Sequence, residues 1–192
     1  MFFLNQKEII QQCKENKYSA QLEVYNSYKN MLYSSCVRIL KSREDAEDIV
    51  HDAFIKGFQK IHQVSDEVNL GAWFRRIAVN IALDKIRKEK KTVWVEETKE
   101  LEAQVDEVEV GFDNAEDFSI ETIKECIHSL KDKYRVILIL YLIEDYNHRE
   151  ISEQLELNES TVRNQYARGK SKLVALLQKQ QQDEFKRAHT TT

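Results

Sequence analysis

The sequence predicts an all-α protein of two small helical domains, a helical bundle and a C-terminal helix-turn-helix domain, joined by an acidic linker. Three observations carry that expectation. Proline is absent and glycine occurs four times in 192 residues, and both residues are penalised inside helices. Apolar residues recur at steps of three and four over two long stretches, which is the period of one helix face. Between those stretches lies a strip where the period fails and acids accumulate.

The elements follow in order. From Ile9 to about Lys41, Leu22, Tyr25, Tyr28, Leu32, Cys36, Ile39 and Leu40 recur at helical spacing. Ser42-Arg43-Glu44-Asp45 is a start signal for a second helix, a hydroxyl with an acid three residues on. Its apolar stripe is Ala46, Ile49, Val50, Ala53, Phe54, Gly57, Phe58 and Ile61. Residues 62–69 read as a loop, and a third helix is expected from about Leu70 to Lys91. Residues 92–118 form the linker, helical pattern resumes at Ile120 and persists to about Gln180, and residues 181–192 are a polar tail. The expected domains are therefore 1–91 and 119–180.

Charge is segregated along this plan. The formal total is −4, but residues 1–91 carry +4, residues 92–122 carry −10 and residues 123–192 carry +2. A near-neutral total leaves nucleic-acid binding open, because association depends on local fields. The acidic strip fits a soluble, extended tether; it also fits a polyanion that mimics nucleic acid. The longest apolar run, residues 136–143, is far short of the roughly 20 residues that span a bilayer, and no signal-peptide core follows Met1-Phe2-Phe3-Leu4. Cys13, Cys36 and Cys126 are widely spaced and odd in number, which points to packed thiols in a reducing cytoplasm. No glycine-rich phosphate loop or metal-ligand spacing occurs, and the five histidines are scattered. Neither an enzyme nor a cofactor or metal site is expected.

Two helices carry candidate recognition residues. Arg149-Glu150-Ile151-Ser152-Glu153-Gln154-Leu155 is a short amphipathic helix, and Asn158 is placed to cap a longer one beginning near Glu159. Two helices joined so tightly, the second rich in Arg, Asn, Lys and Ser, suit a helix-turn-helix. Val162, Tyr166, Gly169, Leu173 and Leu176 form its expected packed stripe. Opposite stand Ser160, Asn164, Ala167, Arg168 and Ser171, with Arg163 on the flank. Arg and Asn match the major-groove edges of guanine and adenine bidentately. A bundle helix with a solvated polar face gives the same pattern. On the helix from Leu70, Arg76, Asn80, Asp84, Arg87 and Lys91 line one face, with Leu70, Phe74, Ile77, Ala78 and Ile81 beside it. A cationic stripe around one amide suits phosphate contacts surrounding a base contact. A solvated face with an Arg76–Asp84 or Asp84–Lys88 pair fits equally well. Trp73 falls near Asn80, as a core residue or a stacking platform.

Taken together these residues resemble a family. Asp45-Ala46-Glu47-Asp48-Ile49-Val50-His51-Asp52-Ala53-Phe54 looks like the core-binding helix of extracytoplasmic-function sigma factors, in the sigma-70 family. Leu70-Gly71-Ala72-Trp73-Phe74-Arg75-Arg76-Ile77-Ala78-Val79-Asn80 resembles its minus-ten recognition segment. Tyr146-Asn147-His148-Arg149-Glu150-Ile151 through Ser160-Thr161-Val162-Arg163-Asn164-Gln165 resembles its minus-thirty-five reader. The likeness covers about residues 8–91 and 119–177, in the family's order. His51 stands where glutamine is usual, Lys131 where proline is common, Ser160 at a glycine position and Gln165 at a basic one; the last bears on which promoter is read.

The resemblance implies a sigma factor that binds core RNA polymerase and directs promoter-specific initiation in the cytoplasm. Glu47, Asp48, His51, Asp52 and Phe54 would face the clamp helices of the polymerase's largest subunit. Trp73, Arg76, Asn80, Arg87 and Lys88 would hold the minus-ten element, Asn80 and the 62–69 loop taking an unpaired base and the cations taking phosphates. Arg149, Ser160, Thr161, Arg163, Asn164 and Arg168 would serve the minus-thirty-five element, with Arg163 and Asn164 reading bases. Promoter DNA, core polymerase and an anti-sigma factor are the implied partners, without membrane insertion. A stand-alone helix-turn-helix regulator is the competing reading; it accounts for residues 120–177 and gives no reason for the acidic helix at 45–61.

Overall fold

A computed structural model describes residues 6–96 and 118–190. Most of the acidic strip, residues 97–117, lies outside the described residues, as do both termini. Within them the chain is helical, with turns between helices and no strand. Contacts divide it into two compact units, the first ending at Glu89 and the second beginning at Lys90.

The first unit contains α1 (Gln6–Lys14), α2 (Tyr18–Leu40), α3 (Arg43–Lys60), a 3-10 turn (Ile61–Gln63) and most of α4 (Leu70–Glu96), whose last residues fall beyond Glu89. The stretch from Ile9 to Lys41 is thus two helices. Asn16 breaks it in the left-handed conformation, φ 56°, a position a short polar side chain tolerates. Lys41 ends α2 the same way, its N–H donating to the Val37 carbonyl. The start signal of α3 acts as expected at Ser42, whose side chain accepts from the Asp45 N–H at 3.2 Å. The Asp45 carboxylate instead meets Lys85 of α4 at 2.8 Å, which holds it below the usual carboxylate range, and the Ser42 hydroxyl adds to that effect. Lys85 is raised in turn, by Asp45 first and then Glu89.

The centre of this unit is aromatic. Phe54 packs on Tyr25 at 4.8 Å and on Phe74 at 5.0 Å between ring centroids, and Phe58 meets Phe74 edge-on at 5.3 Å. α3 approaches α4 so closely at Gly57 that a Cβ there would lie 2.1 Å from the Phe74 ring. A side chain at Gly71 would meet the Tyr28 ring at 2.7 Å. On α4 the buried apolar side chains among the described residues are Leu70, Phe74, Ala78, Val79, Ala82, Leu83 and Ile86. Ile77 and Ile81, expected on the packed face, are only half-buried. α4 also continues past Lys91 to Glu96.

The second unit contains α5 (Ile120–Ser129), α6 (Asp132–Leu142), α7 (His148–Leu155) and α8 (Glu159–Thr190). α8 runs on past Gln180. Ser119 caps α5, accepting from the Thr122 N–H at 3.1 Å. α6 is its axis: Tyr134, Arg135, Val136, Ile137, Leu138, Ile139 and Leu140 are buried in succession. A helix apolar all round has to be enclosed, and α5, α7 and α8 all pack against α6. Arg135, deep in this core, keeps its charge compensated by Asp132 at 2.9 Å, because an unpaired buried cation is costly. The three cysteines are buried and in no disulfide; burial pushes the Cys13 thiol up to about 11 and raises Cys126 as well, so neither of these two is a poised thiolate.

Candidate functional sites

On α3 the buried stripe is Ala46, Ile49, Val50, Ala53, Phe54 and Gly57. It leaves Glu47, Asp48, His51 and Asp52 exposed. The His51 ring lies over Tyr25 of α2, 6.1 Å between centroids and 27° between planes. Phe54 is not on this face. It is 3% exposed and closed in by Tyr25 and Phe74, so it supports the helix from behind. The outward residue at that end is Ile55, 56% exposed. The sequence does not single out Ile55 because Phe54 beside it is equally apolar and fits the packed stripe. Continuing the 48, 51, 52 step by three reaches it.

On α4, Asn69 starts the helix, its side chain accepting from the Ala72 N–H at 3.0 Å. Trp73 is half-buried, edge-on to Phe74 at 5.0 Å, and Asn80 is half-buried while Arg76 and Lys88 are exposed. Asp84 pairs with Arg87, one turn on along the same face, a pairing that the sequence alternatives did not include. Arg87 therefore has a carboxylate beside it in this state. The side chain of Lys91 lies outside the described residues.

The second site is a helix-turn-helix. α7 begins with a capping box: Asn147 accepts from the Glu150 N–H at 2.9 Å, and the Glu150 carboxylate accepts from the Asn147 N–H at 3.0 Å. Two orphan N–H groups are satisfied at once, which fixes where the helix starts. Glu156 closes α7 in the left-handed conformation, φ 55°, and α8 starts three residues later. The buried stripe of α8 is Val162, Gln165, Gly169, Leu173 and Leu177. Two expected members are thereby displaced. Gln165 is 2% exposed with its Oε1 unpartnered among the described residues, whereas Tyr166 is half-buried and Leu176 sits at the edge.

Tyr166 leaves the stripe because it joins an aromatic cluster. Its ring is 4.5 Å from Tyr141 and 5.1 Å from His148, and Tyr141 stacks on His148 at 4.6 Å and 18°. The His148 Nε2 is buried without a hydrogen-bond partner among the described residues. Burial holds that imidazole below its usual range, and the nearby Arg163 adds to the effect.

On the outer side Ser160 and Arg163 are exposed, and Thr161, Asn164 and Arg168 are half-buried. Arg163 is held by Glu159, at 2.6 Å from one Nη and 3.1 Å from Nε. Arg149 donates from Nε to Glu153 at 3.1 Å. Among the described residues no group of histidine, cysteine and acid side chains could hold a metal ion, and no helix is long and apolar enough to cross a membrane.

Comparison with known proteins gives two family matches. Residues 24–92 match Sigma-70 region 2 and residues 120–173 match Sigma-70, region 4. Over 175 residues the chain is 31% identical to the ECF RNA polymerase sigma factor SigW of Bacillus subtilis, covering 87% of this chain and 94% of that protein. It is 25% identical to the ECF RNA polymerase sigma factor SigM of the same organism, covering 84% and 98%. A solved structure of CnrH in complex with the cytosolic domain of CnrY shares the fold, with a TM-score of 0.51, 16% identity and coverage of 90% and 97%.

Proposed function

The chain belongs to the extracytoplasmic-function branch of the sigma-70 family, and on that premise we infer how its two units divide the work. It is a sigma factor, binding core RNA polymerase and directing promoter-specific initiation. In our reading residues 1–91 act as region 2 and residues 119–180 as region 4, with residues 92–118 as the linker.

The α3 face, Glu47, Asp48, His51 and Asp52, docks the polymerase. Acids displayed on a helix whose other side is packed suit a basic partner surface, where complementary charge sets rate and register. α4 takes the minus-ten element: Asn80 and the loop before α4 hold an extruded base, with Trp73 alongside. Extruding a base costs a few kcal/mol of stacking, which a pocket has to return. Arg76, Arg87 and Lys88 hold phosphates. α8 enters the minus-thirty-five major groove, where Arg163 and Asn164 read base edges while Arg149, Ser160, Thr161 and Arg168 fix register on the backbone.

The observation that supports this most is the pairing of an open acidic helix face in one unit with a capped helix-turn-helix in the other. A stand-alone operator-binding regulator would use only the second. The protein acts in the cytoplasm, performs no catalysis of its own, and is restrained by an anti-sigma factor covering these same surfaces. Run-off transcription with purified core polymerase on a genomic fragment library tests the reading. Discrete, sigma-dependent transcripts are expected; specific DNA binding without core polymerase, and no transcript with it, would favour the regulator.

A further inference from the structure

One wall of the proposed minus-ten pocket is the loop 62–69. α1 grips that loop, although it lies ahead of the Sigma-70 region 2 match, which begins at residue 24. Between the 3-10 turn and α4 the loop has few anchors of its own. Val64 is buried, and its N–H donates to the Ile61 carbonyl at 3.1 Å. The Val68 N–H closes a turn on the Ser65 carbonyl at 3.2 Å, and Asn69 is engaged as the cap of α4. Ser65, Asp66 and Glu67 are exposed and Val68 is half-buried. α1 takes hold of this middle segment at two points. The Lys14 ammonium pairs with the Asp66 carboxylate at 2.9 Å, and the Gln6 side-chain amide donates to the Val68 carbonyl.

Gln6 and Lys14 stand at the two ends of α1, about 12 Å apart along a helix of this length. They flank its buried stripe, Ile9, Ile10 and Cys13. Ile10 and Cys13 are fully enclosed, so the two polar arms extend from a rigid base. They converge on residues close together in the chain, which leaves Asp66-Glu67-Val68 held at both ends. The Lys14 side chain is 20% exposed against 52% for Asp66; the ammonium is the anchored partner and the loop carboxylate the one that is caught. Lys14 also settles a charge. Asp66 and Glu67 put two carboxylates on a loop that a DNA strand has to approach, and like charge repels it. Pairing cancels one of them. An ion pair this open contributes little to folding. A loop that closes on an extruded base, however, binds better when it is ordered beforehand.

We propose that α1 is a clamp on the 62–69 loop and that Lys14 is a positioning residue for minus-ten recognition, holding Asp66 to Val68 in the shape that receives the extruded base. The proposal rests on the reading of that loop and Asn80 as the base-holding site. Lys14 acts through Asp66 and not on the base itself. Its loss loosens the pocket and leaves docking to core polymerase and minus-thirty-five preference as they were.

Charge reversal in the full-length chain, assayed with purified core polymerase on a promoter found by run-off transcription, tests the clamp. Open-complex formation is followed on templates carrying each of the four bases at every minus-ten position. Lys14→Glu and Asp66→Lys should each lower it about two- to fivefold, the reach of an exposed ion pair, and narrow the gap between the preferred base and the others by a similar factor. The double variant, Lys14→Glu with Asp66→Lys, restores the attraction in reverse and should recover the parental preference. Affinity for core polymerase, minus-thirty-five preference and melting temperature should stay parental in all three. A general effect of charge on DNA affinity moves the two single variants in opposite directions, and that result overturns the clamp. So do single losses that the double variant fails to recover, and so does a lower melting temperature in the single variants, which makes the bond structural. Asn80→Ala separates the clamp from the reading beneath it. Narrowed preference in Asn80→Ala with none in Lys14→Glu removes the clamp and leaves the pocket standing. Unchanged preference in both overturns the base-holding site itself.

Discussion

The two units present their recognition charges in opposite ways. On α3, Glu47, Asp48 and Asp52 make no ion pair among the described residues. On α7 and α8, Arg149 is held by Glu153 and Arg163 by Glu159, each one turn away on its own helix. An open acidic face acts at a distance on a cationic partner. Arginines already facing carboxylates attract phosphate less, because each contact first displaces an internal partner. On the roles proposed above, the first unit would find its partner quickly and the second would hold random DNA weakly until the right bases compensate. Their cores differ similarly, one an aromatic interlock closed at a glycine, the other an aliphatic axis with a polar amide inside it.

The core difference gives the largest expected effect. Gly57→Ala places a methyl 2.1 Å from the Phe74 ring and should destabilise the first unit by about 3 kcal/mol, at the upper end of overpacking costs. At Gly169 the nearest atoms, on Tyr134 and Leu138, are 3.2 and 3.3 Å away. Ala there gains about 1 kcal/mol of helix propensity against a similar packing cost, so the net change should stay within about 0.5 kcal/mol. Denaturant titration with hydrogen exchange read separately in the two units measures both. Equal losses would erase the distinction between the cores.

The next effect divides the second unit itself. Asn164→Ala should flatten base preference at one or two adjacent upstream positions, worth about 1–3 kcal/mol of discrimination. Arg168→Ala should lower transcription from all promoters alike. A randomised-promoter assay reads both, and unchanged preference in Asn164→Ala removes that residue from base reading.

Smaller still is the release of a paired arginine. Glu159→Gln removes the Glu159–Arg163 pair, and exposed i,i+4 pairs are worth about 0.3–0.5 kcal/mol. Affinity for random-sequence DNA should therefore rise about twofold, with a steeper salt dependence. Weaker binding would mean that Glu159 positions Arg163 for the promoter and does not restrain it.

The smallest effect is one of pH. The second unit holds His148 below the usual 6.5, so the unfolded chain takes up the proton first as pH falls. The stability from this site is complete above about pH 6.5 and is lost as acidity increases through the depressed value. Melting of the second unit should fall between about pH 7 and pH 5.5, and His148→Gln should flatten that fall. An unchanged slope would assign it to other groups.

The sequence made some features readable and hid others for definite reasons. The Ser42 cap was legible because a hydroxyl, an acid and an apolar run fall in fixed order. The helix-turn-helix was legible from two amphipathic stretches with too few residues between them for anything but a turn. Helix phase was less so. Phe54 and Ile55 are both apolar, and only packing against Tyr25 and Phe74 decides which faces inward. Gln165 and Tyr166 exchange the places their polarity suggests, because Tyr141 and His148 offer the tyrosine ring a stack at the edge of the stripe. The break at Asn16 was hidden because apolar spacing continues on both sides of it. The Arg87–Asp84 pair was one of several geometrically equal choices on a charged face.

α6 bears on how the chain survives its own synthesis. The first unit can close once α4 has left the ribosome, since its core draws on nothing beyond Ile86 among the described residues. α6 has no such independence. Residues 136–143 (Val, Ile, Leu, Ile, Leu, Tyr, Leu, Ile) are uncharged and mostly enclosed in the finished unit, yet α8 covers them only after Leu177 has been added. At about 5–20 residues per second that delay is roughly two to seven seconds. For that interval the nascent chain displays an uncharged, β-prone segment of the kind that pairs edge to edge with other chains. A ribosome stalled before α8 would release a sticky fragment for chaperones and proteases to clear, and slow codons would do most harm between residues 143 and 177.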